Sequence, residues 1–376
     1  MTLFEHQINE KGIRRTPLYE EHLKHGGRMV EFAGYELPVW YTSQIEEHNF
    51  TRESCGAFDI THMGEVIFQG PDALDTFDKL LSNNPRKLEI GQAQYSLLMN
   101  DNGGIVDDLI VYMLDKDVYL WVINGANVEK DVAWIASKVS DKNVWRHRSY
   151  FTSLIAVQGP KAEEILDKAI PEAGVKDLGY FGLKWVWKDD DKWLTIARTG
   201  YTGEDGFEVI ISNNLAVEMW HRIFEAGGKK IVPIGLAARD TLRLEMCYSL
   251  YGNDITDDTN PFEANLGWAV KLKNREFSSS SILKRIKDEG ITRKLVGFKP
   301  QGKSAARHHD GIFANSEKIG FITSGSFGPT VGENIALGYV PVEYAEEGRV
   351  LQIGIRNKMV DAPVVTPPFL EPRTKK

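Results

Sequence analysis

A chain of 376 residues, 42% hydrophobic and 26% charged, has the composition of a soluble globular protein and is too long for one core, so two or three domains are expected. The formal net charge of -8 excludes a broad phosphate-neutralising face, and with it a nucleic-acid binder, but leaves room for a small anion held by a few arginines. Two cysteines, Cys55 and Cys247, make no disulfide framework, no Cys/His spacing has the form of a zinc site, and no apolar run approaches the ~20 residues that span a membrane. Both cysteines are therefore expected as reduced residues in or near the core, with no metal and no membrane partner. Residues 1–15 carry two glutamates and no hydrophobic block, so neither a secretory nor a transit signal is expected and the cytoplasm is the expected compartment.

In chain order, helical periodicity is expected over 43–54, 72–82, 129–140, 161–168, 215–226 and 236–247. Strand patterns alternate with these at 64–69, 94–100, 109–114, 118–123, 154–158, 193–198 and 207–211. Turn signals at Asn102-Gly103-Gly104 and Asp115-Lys116-Asp117 make adjacent strands hairpins. Strands joined by hairpins and interspersed with helices give an α+β class with antiparallel sheets. Ser278 to Ser281 is expected as a loop into a helix over 282–288. Beyond residue 292 the runs 294–299, 319–323, 334–340, 350–355 and 359–365 are strand-like, which predicts a separate all-β domain, a sandwich or small barrel.

Three segments could carry chemistry. In Arg198-Thr-Gly-Tyr-Thr-Gly-Glu-Asp-Gly-Phe-Glu208, glycines at 200, 203 and 206 mark a tight reversal that enters a strand. There Phe207, Val209 and Ile211 share one face, and Glu208 lies on the other, either wet or a positioned acceptor. In the hairpin around Asn102, Asp107 shares its face with Leu109, Val111 and Met113, while Asp108 shares its face with Ile110 and Tyr112. Asp108 is the aspartate to expect in a cavity; the alternative is that both acids sit at a solvated strand end. In the helix around 236–247, Arg239 and Arg243 stand one turn apart near Asp240 and Glu245. They form either an ion-pair ladder or, at Arg239, a donor fork for a ligand oxygen, with Tyr248 free to stack or pack. His62, in Asp59-Ile-Thr-His-Met63, has no metal-ligand partner at a suitable spacing, and the chain holds no nucleophile elbow, phosphate loop or dinucleotide fingerprint.

The ordered set Arg15-Thr-Pro-Leu-Tyr, Met29-Val-Glu-Phe-Ala-Gly, Phe58-Asp-Ile-Thr-His-Met-Gly, Gly103-Gly-Ile-Val-Asp-Asp-Leu, Gln158-Gly-Pro, Arg198-Thr-Gly-Tyr-Thr-Gly-Glu-Asp-Gly, Ala238-Arg-Asp-Thr-Leu-Arg-Leu-Glu and Ile322-Thr-Ser-Gly closely resembles the aminomethyltransferase (T-protein) family of the glycine cleavage system, over nearly the whole chain. The resemblance implies transfer of a one-carbon unit from the aminomethyl-lipoyl arm of the H-protein to tetrahydrofolate, giving 5,10-methylenetetrahydrofolate, ammonia and the dihydrolipoyl carrier. It implies a three-domain cloverleaf around a central folate channel. Two interleaved antiparallel-sheet domains are expected at 1–64, 119–151 and 253–291, and at 65–118 and 152–252, followed by a β-domain at 292–376. It places Asp108 on the acidic residue essential for catalysis, and Tyr95, Tyr112, Tyr201 and Tyr248 on the lining of the folate pocket. Asn124 and Met63 fall on pocket residues nearer the reacting nitrogens, Glu208 on the carboxylate that binds the pterin, and Arg239 on a folate-binding arginine.

The sequence departs from the family at Thr61, where serine is usual, at Gly328-Pro-Thr330, where Ser-Pro-Thr is usual, and in the tail Pro368-Phe-Leu-Glu-Pro-Arg373, where Arg373 is a poor equivalent of the basic residue that follows Pro-Phe in relatives. Two other kinds of reading share the superfamily: another folate-dependent one-carbon enzyme, a demethylase or an oxidase, and a non-catalytic helper. A folate-dependent demethylase departs from the acidic and glycine motifs quoted above, and a flavin-bearing oxidase needs a domain for which 376 residues leave no room. A non-catalytic folate-binding helper of iron–sulfur cluster assembly carries Lys-Gly-Cys-Tyr-x-Gly-Gln, whereas Cys247-Tyr248 here lies in Glu-Met-Cys-Tyr-Ser-Leu-Tyr-Gly.

Overall fold

Alternation along a few long strands builds a layered body in which both large sheets are packed on both faces. In the computed structural model, which describes residues 6–141, 144–189 and 192–375, a six-stranded sheet runs in the order Leu183–Asp189, Lys192–Ala197, Gly206–Ser212, Thr152–Gln158, Gly56–Asp59, Val232–Ile234. Its strands are antiparallel except for the last pair. Phe207, Val209 and Ile211 point to one face, as their spacing predicts, and pack with Ile155 and Val157 beneath the helices Ala162–Ala169 and Asn213–Gly227. The opposite face, with Leu154, Ala156 and Ile210, packs on Ile67, Tyr112, Leu120 and Val122 of a second sheet.

That second sheet has the order Trp145–His147, Gly64–Gln69, Val118–Ile123, Ile105–Asp115, Gln92–Met99 and is antiparallel throughout. Its far face, with Val66, Phe68, Leu109, Val111 and Trp121, is covered by Val128–Lys138 and Ala73–Phe77. The result is helix, sheet, sheet, helix. The strands Ile105–Asp115 and Val118–Ile123 pair across one tight turn, with Val111 opposite Trp121 and Asp117 left-handed at φ 56°. The expected domain break at 118/119 therefore falls inside a hairpin, and the break at 64/65 falls at the start of a strand of the same sheet.

A smaller sheet orders Gln7–Ile8, Arg14–Arg15, Tyr35–Trp40 and Arg28–Phe32. The C-terminal part closes into a six-stranded barrel of Arg293–Phe298, Glu333–Pro341, Glu317–Gly328, Gly311–Ala314, Val350–Ile355 and Lys358–Val365. The helix expected after the serine run spans Ser280–Glu289. Residues 1–5 and 376, at the ends of the expected domains, lie outside the described residues. Among the described residues no helix is long and apolar enough to cross a membrane.

Two helices tie the body to the barrel. Gln44–Glu53 starts at Ser43, whose hydroxyl accepts the Glu46 N–H at 3.2 Å and satisfies one free donor of the first turn. It packs beside Leu236–Glu245, which in turn lies on the barrel strands Glu317–Gly328 and Glu333–Pro341.

Candidate active site

Where the two inner sheet faces meet the barrel, a cavity of about 780 Å³ remains. Its wall takes Asp108 from one sheet, Glu208 from the other, Arg239 from the helix Leu236–Glu245, and Pro367, Pro368 and Pro372 from the C-terminal segment. Of the nine expected site residues, eight line it: Met63, Tyr95, Asp108, Asn124, Tyr201, Glu208, Arg239 and Tyr248. Tyr112 does not. It is fully buried behind the wall, and its hydroxyl donates to Glu208 Oε2 at 3.1 Å, so it braces the carboxylate instead of facing a ligand.

The two aspartates separate as the strand period requires. Asp107 is fully buried and accepts N–H bonds from the Asn124 backbone (2.9 Å), Asn124 Nδ2 (3.0 Å) and Asn127 Nδ2 (2.6 Å). Asp108 turns to the cavity, where Oδ2 accepts the Tyr95 hydroxyl at 3.1 Å and Oδ1 accepts Asn124 Nδ2 at 2.8 Å. Burial, and after it the charge of Asp107, raises the Asp108 carboxyl to about 7. Neither acid is at a solvated strand end. Glu208 receives the Thr199 hydroxyl at 2.5 Å as well as Tyr112 on Oε2, while Oε1 has no protein donor among the described residues. Burial raises its carboxyl, and the Thr199 and Tyr112 hydroxyls and then Arg239 oppose that rise.

The glycine run holds this wall in place. Arg198 closes it from both ends, donating through Nε (2.9 Å) and Nη2 (2.5 Å) to the two oxygens of Asp205. A Cβ at Gly200 or Gly206 would collide with Gln158, and Gly203 has φ +77° against Met246, so this reversal requires glycine at each of the three. Tyr201 then reaches the cavity, its hydroxyl donating to the Ser249 carbonyl at 2.5 Å and its ring stacked on Tyr248 at 5.8 Å and 28°.

The arginine alternatives also resolve. Arg243 is the structural one, bound to Asp240 at 2.7 Å and to buried Asp254 at 2.6 Å. Arg239 makes no ion pair among the described residues and lies 5.0 Å over the Tyr201 ring, with its donors free for an oxygen in the cavity. Arg373 does not line the cavity; its guanidinium is 3.5 Å from Glu204. Both cysteines are free thiols, and burial pushes that of Cys247, on the cavity wall, up to about 12. Among the described residues no group of three or more His, Cys, Asp or Glu is disposed to hold a metal.

Sequence reasoning passed over several wall residues. Thr199 sits inside the glycine run and reads there as a turn residue. Trp268, 58% exposed at the mouth, stacks on Tyr95 at 5.2 Å and 27°. Tyr180, 46% exposed, and Phe181 come from a loop with no periodicity to mark them. An unpatterned aromatic directly after a glycine, as in Gly267-Trp268 and Gly179-Tyr180, is the signal that could have found them.

Comparison with known proteins agrees with this arrangement. The profile of the GCVT N-terminal domain matches residues 18–274, and that of the glycine cleavage T-protein C-terminal barrel domain matches residues 293–371. An aminomethyltransferase of Halothermothrix orenii is 43% identical over 95% of this chain and 100% of its own length. One from Symbiobacterium thermophilum is 43% identical over 96% of this chain and 98% of its own. The crystal structure of the glycine cleavage system aminomethyltransferase T from Bartonella henselae superposes with a TM-score of 0.90 at 34% identity, covering 97% of this chain and 100% of that one. A chain matched by both domain profiles in this order, with relatives aligned end to end, belongs to the aminomethyltransferase (T-protein) family of the glycine cleavage system.

Proposed function

We propose that the cavity binds tetrahydrofolate as one-carbon acceptor, that the lipoylated H-protein delivers the aminomethyl group on its lipoyl arm, and that the products are 5,10-methylenetetrahydrofolate, ammonia and the dihydrolipoyl carrier. The observation that carries this reading is a pair of carboxylates, Asp108 and Glu208, on facing sheets of one tyrosine-lined cavity, each in its own electrostatic setting. The cavity of about 780 Å³ lies within the range, roughly 300–1,000 Å³, of small-molecule sites.

Tetrahydrofolate supplies two nucleophilic nitrogens and a flat ring whose edge carries an N–H and an amino group side by side. Glu208, braced by Thr199 and Tyr112, is the acceptor for that edge. The stacked Tyr201 and Tyr248 offer ring faces, and Arg239 a cation for an anionic or carbonyl oxygen. Two N–H protons must leave the acceptor during the transfer, one to the departing ammonia and one to the lipoyl sulfur. Asp108, with its carboxyl near 7, can take and return such a proton and stabilise positive charge as it develops. Tyr95 and Asn124 fix its two oxygens, and the apolar wall limits the water that would hydrolyse the transferred unit. Bringing both reactants into one slot supplies a further share of the acceleration.

The test is ammonia release from purified protein given tetrahydrofolate and aminomethyl-loaded H-protein. Absence of ammonia sinks the catalytic reading and leaves the folate-binding helper. Glu208→Gln is expected to weaken tetrahydrofolate binding by about tenfold or more, the worth of one charged hydrogen bond, with thermal stability close to wild type. Unchanged affinity with a lowered melting temperature would make Glu208 a structural residue.

A further inference from the structure

Behind the cavity wall lies an acid that the chemistry above does not use. Asp131, on the helix Val128–Lys138, is fully buried. Among the described residues no N–H or O–H donor reaches either of its carboxyl oxygens. The group within hydrogen-bonding reach is the Asp107 carboxyl, which already accepts three N–H bonds. Two carboxyls in contact, away from water and with no cation between them, cannot both be ionised; they share one proton. Asp107 has the N–H donors that favour the charged form, so the proton belongs to Asp131. In agreement, burial and then Asp107 push the Asp131 carboxyl well above its ordinary value.

The pair connects to the cavity through one amide. Asn124 Nδ2 is 3.0 Å from Asp107 Oδ1 and 2.8 Å from Asp108 Oδ1, so the group that orients the cavity acid is itself held by Asp107. The other polar neighbours are engaged elsewhere. Lys130 Nζ binds the Val106 carbonyl (2.6 Å), the Tyr251 hydroxyl (2.6 Å) and Asp257 (3.3 Å). Tyr251 donates to the Ile105 carbonyl at 2.9 Å. On the cavity side Asp108 meets the Tyr95 hydroxyl at 3.1 Å and feels Tyr201.

We propose that Asp131 is a positioning residue for Asp108: its carboxyl keeps a proton, donates it in a hydrogen bond to Asp107, and so fixes a single negative charge behind Asn124 and Asp108. The proposal rests on the assignment of proton transfer to Asp108. With Asp131 neutral, Asp107 carries one charge, anchors the Asn124 amide and keeps the Asp108 carboxyl high enough to exchange protons near neutral pH.

Two variants and two measurements test it. Asp131→Asn replaces the O–H donor with an N–H donor of the same shape and keeps Asp107 charged. Asp131→Leu removes the donor, so Asp107 protonates more readily and its charge beside Asp108 is lost over more of the pH range. The acid limb of the turnover–pH profile should stay at the wild-type pH in Asp131→Asn and move down by about one unit in Asp131→Leu. Independently, the infrared difference between folate-free wild type and Asp131→Asn at pH 9 should contain the carbonyl stretch of one protonated carboxylic acid. At that pH Asp108 is ionised, and the subtraction cancels other buried acids such as Glu65. No acid band in the difference, or an acid limb that Asp131→Asn lowers as far as Asp131→Leu does, overturns the proposal. If Asp131→Leu does not fold, the infrared result and the Asp131→Asn profile still decide. Normal turnover by Asp108→Asn would remove the catalytic reading and leave the infrared result standing, so the two failures are distinguishable.

Discussion

Asp108→Asn is expected to lower turnover by about 10²–10⁴-fold, the range for loss of a positioned proton carrier, with folate affinity close to wild type. The same variant is expected to be more stable than wild type at pH 8. Burial and the Asp107 charge raise the Asp108 carboxyl from the ordinary 3.8 to about 7. The native state therefore holds this proton more tightly than the unfolded chain does. Above pH 7 the ionised group is a cost to the fold; as pH falls from about 7 to about 4 the native state binds the proton first and the cost disappears. Asparagine carries no such cost. The expected gain at pH 8 is on the order of 2 kcal/mol, about half of what full burial would give, because the side chain faces a cavity open to water. The gain should vanish towards pH 4. Thermal melts at the two pH values, beside the ammonia assay, check both halves. Asp107→Asn is the control: it leaves buried N–H donors short of acceptor capacity and should lose stability. A normal rate in Asp108→Asn with a dead Asp107→Asn would reverse the assignment of faces.

Such gains in stability on loss of function are what a destabilised catalytic group produces. The strand Ile105–Asp115 was legible where it mattered for a separate reason. A period of two sends Leu109, Val111 and Met113 to one core and Ile110 and Tyr112 to the other, so the face of each aspartate follows from its neighbours. The same reasoning placed Glu208 opposite Phe207, Val209 and Ile211. It failed for Gly56–Asp59, a four-residue strand buried throughout, because a central strand with both faces covered has no alternation to read. It failed also at 118/119, where the hairpin signal at Asp115-Lys116-Asp117 pointed to a continuous sheet and the expected domain break cut across it. Tyr112 shows the finer limit. Its position on the cavity-side face was readable, but whether its hydroxyl met ligand or Glu208 depended on how closely the second sheet packs, which no local pattern encodes.

Arg52→Ala is expected to destabilise the protein by about 3–5 kcal/mol, the cost of removing one partner from two buried ion pairs, those with Glu204 and Glu245. Arg52 joins three parts of the molecule. Nη1 donates to the Thr202 carbonyl (2.5 Å) and Glu204 (3.0 Å) of the glycine run, Nη2 to Glu245 (2.9 Å) at the end of Leu236–Glu245, and Nε to Thr330 (3.3 Å) after the barrel strand. Glu245 is fully buried and also accepts the Thr330 N–H at 2.7 Å, with His48 3.2 Å away. Burial alone would raise its carboxyl, yet the hydrogen bonds and charges of His48 and Arg52 bring it down to about 2. A lowered carboxyl stabilises the fold above its unfolded value of 4.5, and that contribution is lost as pH falls from there towards 2. His48 supplies the larger share of that lowering and Arg52 the rest, so without Arg52 a part of it is absent at every pH, and the gap between variant and wild type should be widest near neutral pH and narrow below about 4.5. Denaturant unfolding at pH 7 and pH 3.5 measures the two gaps. Because Arg52 holds Thr202 and Glu204, the loss should reach Thr199, Tyr201 and Glu208 in the same run and weaken tetrahydrofolate binding as well. A gap that is small at pH 7, or as wide at pH 3.5, would mean that packing between the helices, not this charge network, fixes the glycine run against the barrel.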